Sequence, residues 1–115
     1  MLRVLHVENW KSFHDPVDFT MVAGKESRHS DILFRDGKAR VLPTAVIYGA
    51  NAAGKSALLG AVDQLRNLVF EPRARGRRLP YDPHRLYGVG APTVLGVEIV
   101  LDVPNATSQR DAIVY

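Results

Sequence analysis

The chain has 115 residues, a hydrophobic share of 46% and a formal net charge of +3, which together suit one modest globular domain. It contains no cysteine, which excludes a disulfide framework and a thiolate metal site. Residues 1–8 alternate polar and apolar side chains and so indicate a strand rather than a signal peptide, and no apolar run approaches the roughly 20 residues that span a bilayer. We therefore expect a soluble cytoplasmic protein with no membrane partner.

Two strands are predicted ahead of any recognisable motif. Residues 2–7 and 17–22 both alternate in the way that half-buried strands do. Residues 9–16 between them read as a turn region that a proline closes. Residues 23–40 are polar and contain glycine, which indicates a variable connection with a short strand at 32–34.

An apolar strand predicted at residues 42–48 leads into the most informative motif of the sequence. Residues 49–56 read Gly-Ala-Asn-Ala-Ala-Gly-Lys-Ser, which fits the pattern G-x-x-x-x-G-K-[ST] of the Walker A phosphate-binding loop. A helical pattern opens directly after the motif, so the order is strand, loop and helix, as a phosphate loop requires. The motif predicts binding of a nucleoside triphosphate.

Each fixed position of the motif has a chemical reason. Consecutive backbone N–H groups at a helix N-terminus donate to phosphate, and the helix dipole adds partial positive charge there. A β-carbon at Gly49 or Gly54 would crowd the backbone or forbid the φ values that the loop needs. Lys55 suits the β- and γ-phosphates as a mobile point charge, and the Ser56 hydroxyl is a hard ligand for Mg²⁺.

The helix is predicted from about Gly54 to Phe70, because Pro72 stops it. Its apolar stripe at helical spacing consists of Leu58, Val62, Leu65 and Val69. Further strands are expected at 93–103 and 111–115, with a turn at 104–109. Because the chain stops inside an apolar run, we expect residues 1–115 to be the N-terminal portion of one ATP-binding domain in a longer protein.

Positive charge is concentrated after the helix. Six arginines lie between Arg66 and Arg85 against only two acidic residues, and four of the six fall within residues 73–78. We interpret this run as a solvated loop, with contact to nucleic acid as the alternative. No aromatic residues interleave the arginines, which disfavours base stacking there.

The stretch Asn9-Trp10-Lys11-Ser12-Phe13, followed by the Walker A motif, resembles the opening of ABC-type ATPase heads. The resemblance is to the SMC, RecF and OLD-nuclease branch, and especially to AAA-like ATP-binding proteins of bacterial phage-defence systems. It covers the chain nearly end to end. The resemblance implies an α/β fold, that of a P-loop NTPase. In its ABC-ATPase-like N-terminal lobe, antiparallel strands surround a Walker A strand and helix, and we expect this lobe to be incomplete here.

The resemblance also implies which residues hold ATP and Mg²⁺. Carried over to this sequence, the nucleotide-binding positions are Lys11, Gly49, Asn51, Ala52, Ala53, Gly54, Lys55, Ser56 and Ala57. Ser56 would hold the metal, the Ala57 N–H would meet the α-phosphate, and Ser12 is a further neighbour. For Lys11 the alternative is an ordinary surface turn. Many relatives have glycine where this chain has Ala52, and alanine suits that position only if its φ is negative.

Catalytic residues are not identified by the resemblance. The signature loop and the Asp-Glu pair of ABC heads are absent from the sequence, and Asp102, which ends an apolar run, is followed by Val103 and suits a hairpin strand better than a magnesium site. The histidines show no ligand spacing. We therefore expect residues 1–115 alone to hydrolyse no ATP, whereas the full-length protein would be an ATPase that pairs with a second head, as a homodimer, in DNA handling or defence.

Two other functions stay open. A kinase or GTPase-like P-loop enzyme is one, although two strands precede the loop and the Asn-Lys-x-Asp guanine motif is absent. A non-catalytic nucleotide- or nucleic-acid-binding module is the other, and it depends on the arginine run alone.

Overall fold

The computed structural model describes residues 1–25, 29–37, 39–70 and 79–101, together with the backbone of Ile113–Val114. Across these residues the chain is a small α/β protein. The elements are β1 (Leu2–Glu8), β2 (Val17–Thr20), β3 (Phe34–Asp36), β4 (Ala39–Val41), α1 (Lys55–Phe70), β5 (Val94–Ile99) and β6 (Ile113–Val114). One sheet has the strand order β2-β1-β5-β6, and a second consists of β3 and β4; the pairs β5–β6 and β3–β4 are antiparallel.

Most of the predicted elements are confirmed with small changes at their ends. β1 and α1 lie where the patterns placed them, and β6 lies within the predicted final strand. β2 ends at Thr20, two residues before the predicted end, and β5 ends at Ile99, although the predicted strand continued to residue 103. The short strand predicted at 32–34 begins two residues later as β3. The arginine run at 73–78, the turn at 104–109 and Asp102 all lie outside the described residues.

The prediction of a strand at residues 42–48, directly before the glycine-rich motif, is wrong. β4 ends at Val41, and residues 44–49 have no regular secondary structure. The side chains of Val46 and Tyr48 are 81% and 90% exposed. A strand is stable only when a neighbour takes up its backbone hydrogen bonds, and none of the described strands pairs with residues 44–48.

Contacts between residues divide the chain into two compact units. The first comprises residues 1–5, 19–46 and 97–115. Its core contains Leu5, Met21 and Val41, all buried. The chain around Met21 runs beside β4, since the Leu42 N–H donates to the Met21 carbonyl and the Ala23 N–H to the Arg40 carbonyl, both at 2.7 Å.

The second unit comprises residues 6–18 and 47–96 and contains α1. The helix buries Ala57, Leu58 and Ala61. The predicted apolar stripe is therefore only partly correct: Leu58 is buried, but Val62 is 41% and Val69 74% exposed. The buried face of α1 is centred one residue before the predicted stripe, and its two alanines, Ala57 and Ala61, leave room for a large neighbouring side chain.

That neighbour is Trp10, which is 4% exposed and donates its indole N–H to the Ala57 carbonyl at 3.0 Å. Trp10 thus fixes the end of β1 to the first turn of α1. Among the described residues no helix is long and apolar enough to cross a membrane.

Candidate functional site

The start of α1 presents backbone donors that the described part of the protein leaves unused. The helix begins at Lys55, and its first internal hydrogen bond runs from the Leu58 N–H to the Gly54 carbonyl at 3.0 Å. The N–H groups of Lys55, Ser56 and Ala57 therefore have no acceptor among the described residues. N–H groups in the first turn point along the helix axis at its positive end, so they can bind an anion.

The glycine loop, residues 49–54, leads into this helix start. Gly49 has φ +156° and Gly54 has φ +86°, which are values that other residues rarely adopt. A β-carbon on Gly54 would also lie 3.2 Å from the Ser12 hydroxyl oxygen and 3.4 Å from Cζ of Phe13. The predicted need for glycine at both positions is confirmed, and at Gly54 the crowding comes from side chains of the turn after β1.

The expectation that Ala52 has a negative φ is wrong. Its φ is +64°, not negative, so an alanine occupies the left-handed region in the middle of the loop. The β-carbon then approaches the following carbonyl oxygen, at a cost of roughly 1 kcal/mol. The glycine loop therefore stores strain at Ala52.

This strain predicts that Ala52→Gly is more stable than Ala53→Gly by about 1 kcal/mol, because both add the same freedom to the unfolded chain but only Ala52 has a positive φ. Urea unfolding of the two variants measures the difference. Equal unfolding free energies would show that Ala52 is not strained.

The Lys55 side chain folds back over the glycine loop. Its Nζ donates to the Gly49 carbonyl at 2.9 Å and to the Ala50 carbonyl at 2.6 Å. An ammonium has three N–H donors, so one remains for another acceptor. The positive charge is thereby held beside the unused N–H groups of the helix start.

An open cleft of ≈ 330 Å³ lies at this place, lined by Lys11, Ser12 and residues 52–57. Its volume is at the lower end of the range of about 300–1,000 Å³ that is usual for ligand pockets. The structure thus brings Lys11 and Ser12 to the glycine loop, which the sequence could only suggest. None of the lining residues is acidic, so the cleft as described is positively charged.

Ser56 lies on the cleft wall and is exposed, so its hydroxyl is accessible to a metal ion. No group of three histidine, cysteine, aspartate or glutamate side chains in the described residues is placed to hold a metal by itself. A single hydroxyl suits Mg²⁺, which keeps several waters and takes its other ligands from substrate phosphates.

Lys11 reaches the cleft from a tight turn formed by residues 10–13. Trp10 and Phe13 exchange two backbone hydrogen bonds of 2.8 Å, and Lys11 at the tip has φ +51°. The Lys11 N–H donates to the Asp82 carbonyl at 2.9 Å. Its Nζ lies 4.0 Å from the Asp82 carboxylate and 5.1 Å from the centre of the Trp10 ring.

Asn9 is the residue whose importance the sequence analysis missed. Its side chain is buried, and the two N–H groups of its Nδ2 are shared among the carbonyls of Gly88, Ala91 and Pro92 at 2.9, 3.0 and 3.2 Å. Its Oδ1 accepts the His84 N–H at 2.9 Å. Asn9 thus ties the segment before β5 to the turn that carries Lys11. The available signal was an asparagine directly after a strand, since asparagine tolerates the φ of +47° found here.

Two of the histidines lie in contact, although no role was predicted for them from the sequence. The rings of His14 and His84 are 5.5 Å apart between centres, and Tyr87 stacks on His84 at 5.6 Å. Nδ1 of His84 is buried and has no hydrogen-bond partner in the part of the chain that the structure describes. None of these rings lines the cleft.

The site combines a strained glycine loop, two lysines and a helix start whose first three N–H groups have no acceptor among the described residues. No model of a known protein family, no curated protein and no solved structure matches the chain. The geometry of the second unit, together with the motif, therefore supplies the grounds for assigning a function.

Proposed function

We propose that the protein binds a nucleoside triphosphate, ATP, with Mg²⁺ in the cleft between the glycine loop and the Lys11 turn. The observation that carries this proposal is the helix start, where three consecutive N–H groups lack an acceptor in the described structure beside the Lys55 ammonium. A phosphate group is the common biological ligand that needs several donors and positive charge at one point.

The chain's own residues would share the binding. The N–H groups of residues 55–57 donate to phosphate oxygens, and Lys55 exchanges one loop carbonyl for a β- or γ-phosphate oxygen. Ser56 would contribute its hydroxyl as a ligand to Mg²⁺, which would neutralise part of the phosphate charge. Lys11 adds a second cation from the opposite wall of the cleft.

Hydrolysis requires groups that the cleft does not contain. Its lining residues in the described structure include no carboxylate, histidine or other side chain able to orient an attacking water. We extend the proposal to an ABC-type ATPase in the cytoplasm, in which a second head completes the site and hydrolysis serves DNA handling or defence. The support for this extension is the turn of residues 9–13, which resembles those heads and which packs against the loop here.

Ser56→Ala is expected to abolish most of the Mg²⁺ enhancement of ATP affinity and to leave metal-free binding nearly unchanged, because only the hydroxyl is lost. Titration calorimetry with and without Mg²⁺ gives both affinities. Ser12→Ala is the matched control, since it removes a hydroxyl from the same cleft, and it should keep the Mg²⁺ enhancement. If Ser56→Ala keeps the full enhancement, Ser56 does not bind the metal.

A further inference from the structure

The contact between Lys11 and Asp82 is more than a surface ion pair, because it has two separate components. The Asp82 carbonyl accepts the Lys11 N–H at 2.9 Å and so holds the tip of the turn. The Asp82 carboxylate lies 4.0 Å from the Lys11 Nζ, at the outer limit for an ion pair. The first contact fixes the backbone, whereas the second only attracts the side chain.

The ammonium of Lys11 lies between the Asp82 carboxylate and the cleft, so either the carboxylate or an anion bound in the cleft can attract it. The lysine lines the cleft, yet its charge is shared with a carboxylate that does not line it. The two side chains are 41% and 50% exposed, so the pair is weak and easily exchanged. A β-carbon on Gly60 would lie 3.4 Å from Nζ, so the glycine keeps the space beside α1 open for the lysine.

We propose that the Asp82 carboxylate competes with the nucleotide phosphates for the Lys11 ammonium and thereby lowers the affinity for ATP. Binding of a phosphate takes Lys11 from Asp82, whereas the backbone bond keeps the turn in place. Asp82 therefore sets the affinity through Lys11 without touching the nucleotide. This inference depends on the proposed function, because it requires ATP in the cleft.

Asp82→Asn tests the carboxylate alone, since the substitution leaves the backbone carbonyl in place. We expect ATP to bind about two- to fivefold more tightly, which is the range that an exposed ion pair supplies. The gain should shrink in 1 M salt, because salt screens exposed charges. Asp63→Asn is the control: it removes the same charge from α1, where the carboxylate lies 3.8 Å from Arg66, and should leave the affinity unchanged.

A double-mutant cycle tests whether Asp82 affects the ATP affinity through Lys11. In a Lys11→Gln background, Asp82→Asn should produce no gain, because there is no ammonium left to release. The inference would be overturned if Asp82→Asn raised the ATP affinity equally with and without Lys11, or if it did not raise the affinity in the wild-type background. In either case, ATP binding by the wild-type protein would still support the proposed function. Absence of ATP binding in the wild-type protein would overturn both.

Discussion

Lys55→Ala is expected to weaken ATP binding by at least about tenfold, because a charge-assisted hydrogen bond to phosphate contributes roughly 1.5–3 kcal/mol. Lys55 is also the residue that closes the glycine loop through the Gly49 and Ala50 carbonyls. Its removal therefore takes away both a charge and a constraint on the loop. Titration calorimetry of the two proteins with ATP and Mg²⁺ measures the loss.

Lys25→Ala is the matched control for this substitution. It makes the same change in net charge at an exposed position outside the cleft, so the affinity should stay as in the wild type. Because the hydrogen bonds of the Lys55 side chain to the described residues end on two loop carbonyls, the variant should still unfold cooperatively. Equal ATP affinity in Lys55→Ala and the wild type would remove Lys55 from the phosphate site.

Gly88→Ala is expected to destabilise the protein by about 3 kcal/mol. A β-carbon there would lie 1.7 Å from Oδ1 of Asn9 and 2.9 Å from the His84 nitrogen. The alanine must displace the Asn9 amide, which leaves buried donors and acceptors without partners in addition to the steric strain. The free energy of unfolding in urea measures the effect.

Gly24→Ala provides the comparison, because a β-carbon at Gly24 meets nothing within 4 Å and its φ is not positive. That variant should match the wild type or gain up to about 1 kcal/mol from reduced freedom of the unfolded chain. A Gly88→Ala protein as stable as Gly24→Ala would show that Asn9 does not organise this part of the second unit.

The sequence predicts those features that depend on near neighbours in the chain. β1 and α1 follow from alternation and helical spacing, and the positive φ values of Gly49 and Gly54 follow from the motif. Each needs only a few consecutive residues. The helix start was predicted at about Gly54 for the same reason, one residue before its position in the structure.

Features that depend on distant residues were not predictable. The hydrogen-bond partners of the Asn9 side chain lie 75 to 83 residues away, and no local pattern links them. The Lys11–Asp82 contact is equally remote in sequence. The strand expected at 42–48 failed for the opposite reason: its apolar residues suit a strand, but strand formation depends on a neighbour that the described residues do not provide.

Ala52 shows a third limit. Its residue type argues against a positive φ, yet the loop imposes +64° because the glycines on either side and the Lys55 bonds fix the path of the backbone. The preference of alanine for a negative φ is worth only about 1 kcal/mol, and the other constraints on the loop backbone outweigh it.

The most direct test of the nucleotide site is an NMR titration of the isotope-labelled protein with ATP and Mg²⁺, recorded at the backbone amides. We predict that the largest shifts occur at the N–H groups of Lys55, Ser56 and Ala57, because these are the donors that phosphate oxygens would engage. The same titration with Lys55→Ala should need at least about tenfold more ATP to shift the N–H groups of Ser56 and Ala57. Shifts confined to residues outside the cleft, or no shifts with saturating ATP, would contradict the proposal that this helix start binds phosphate.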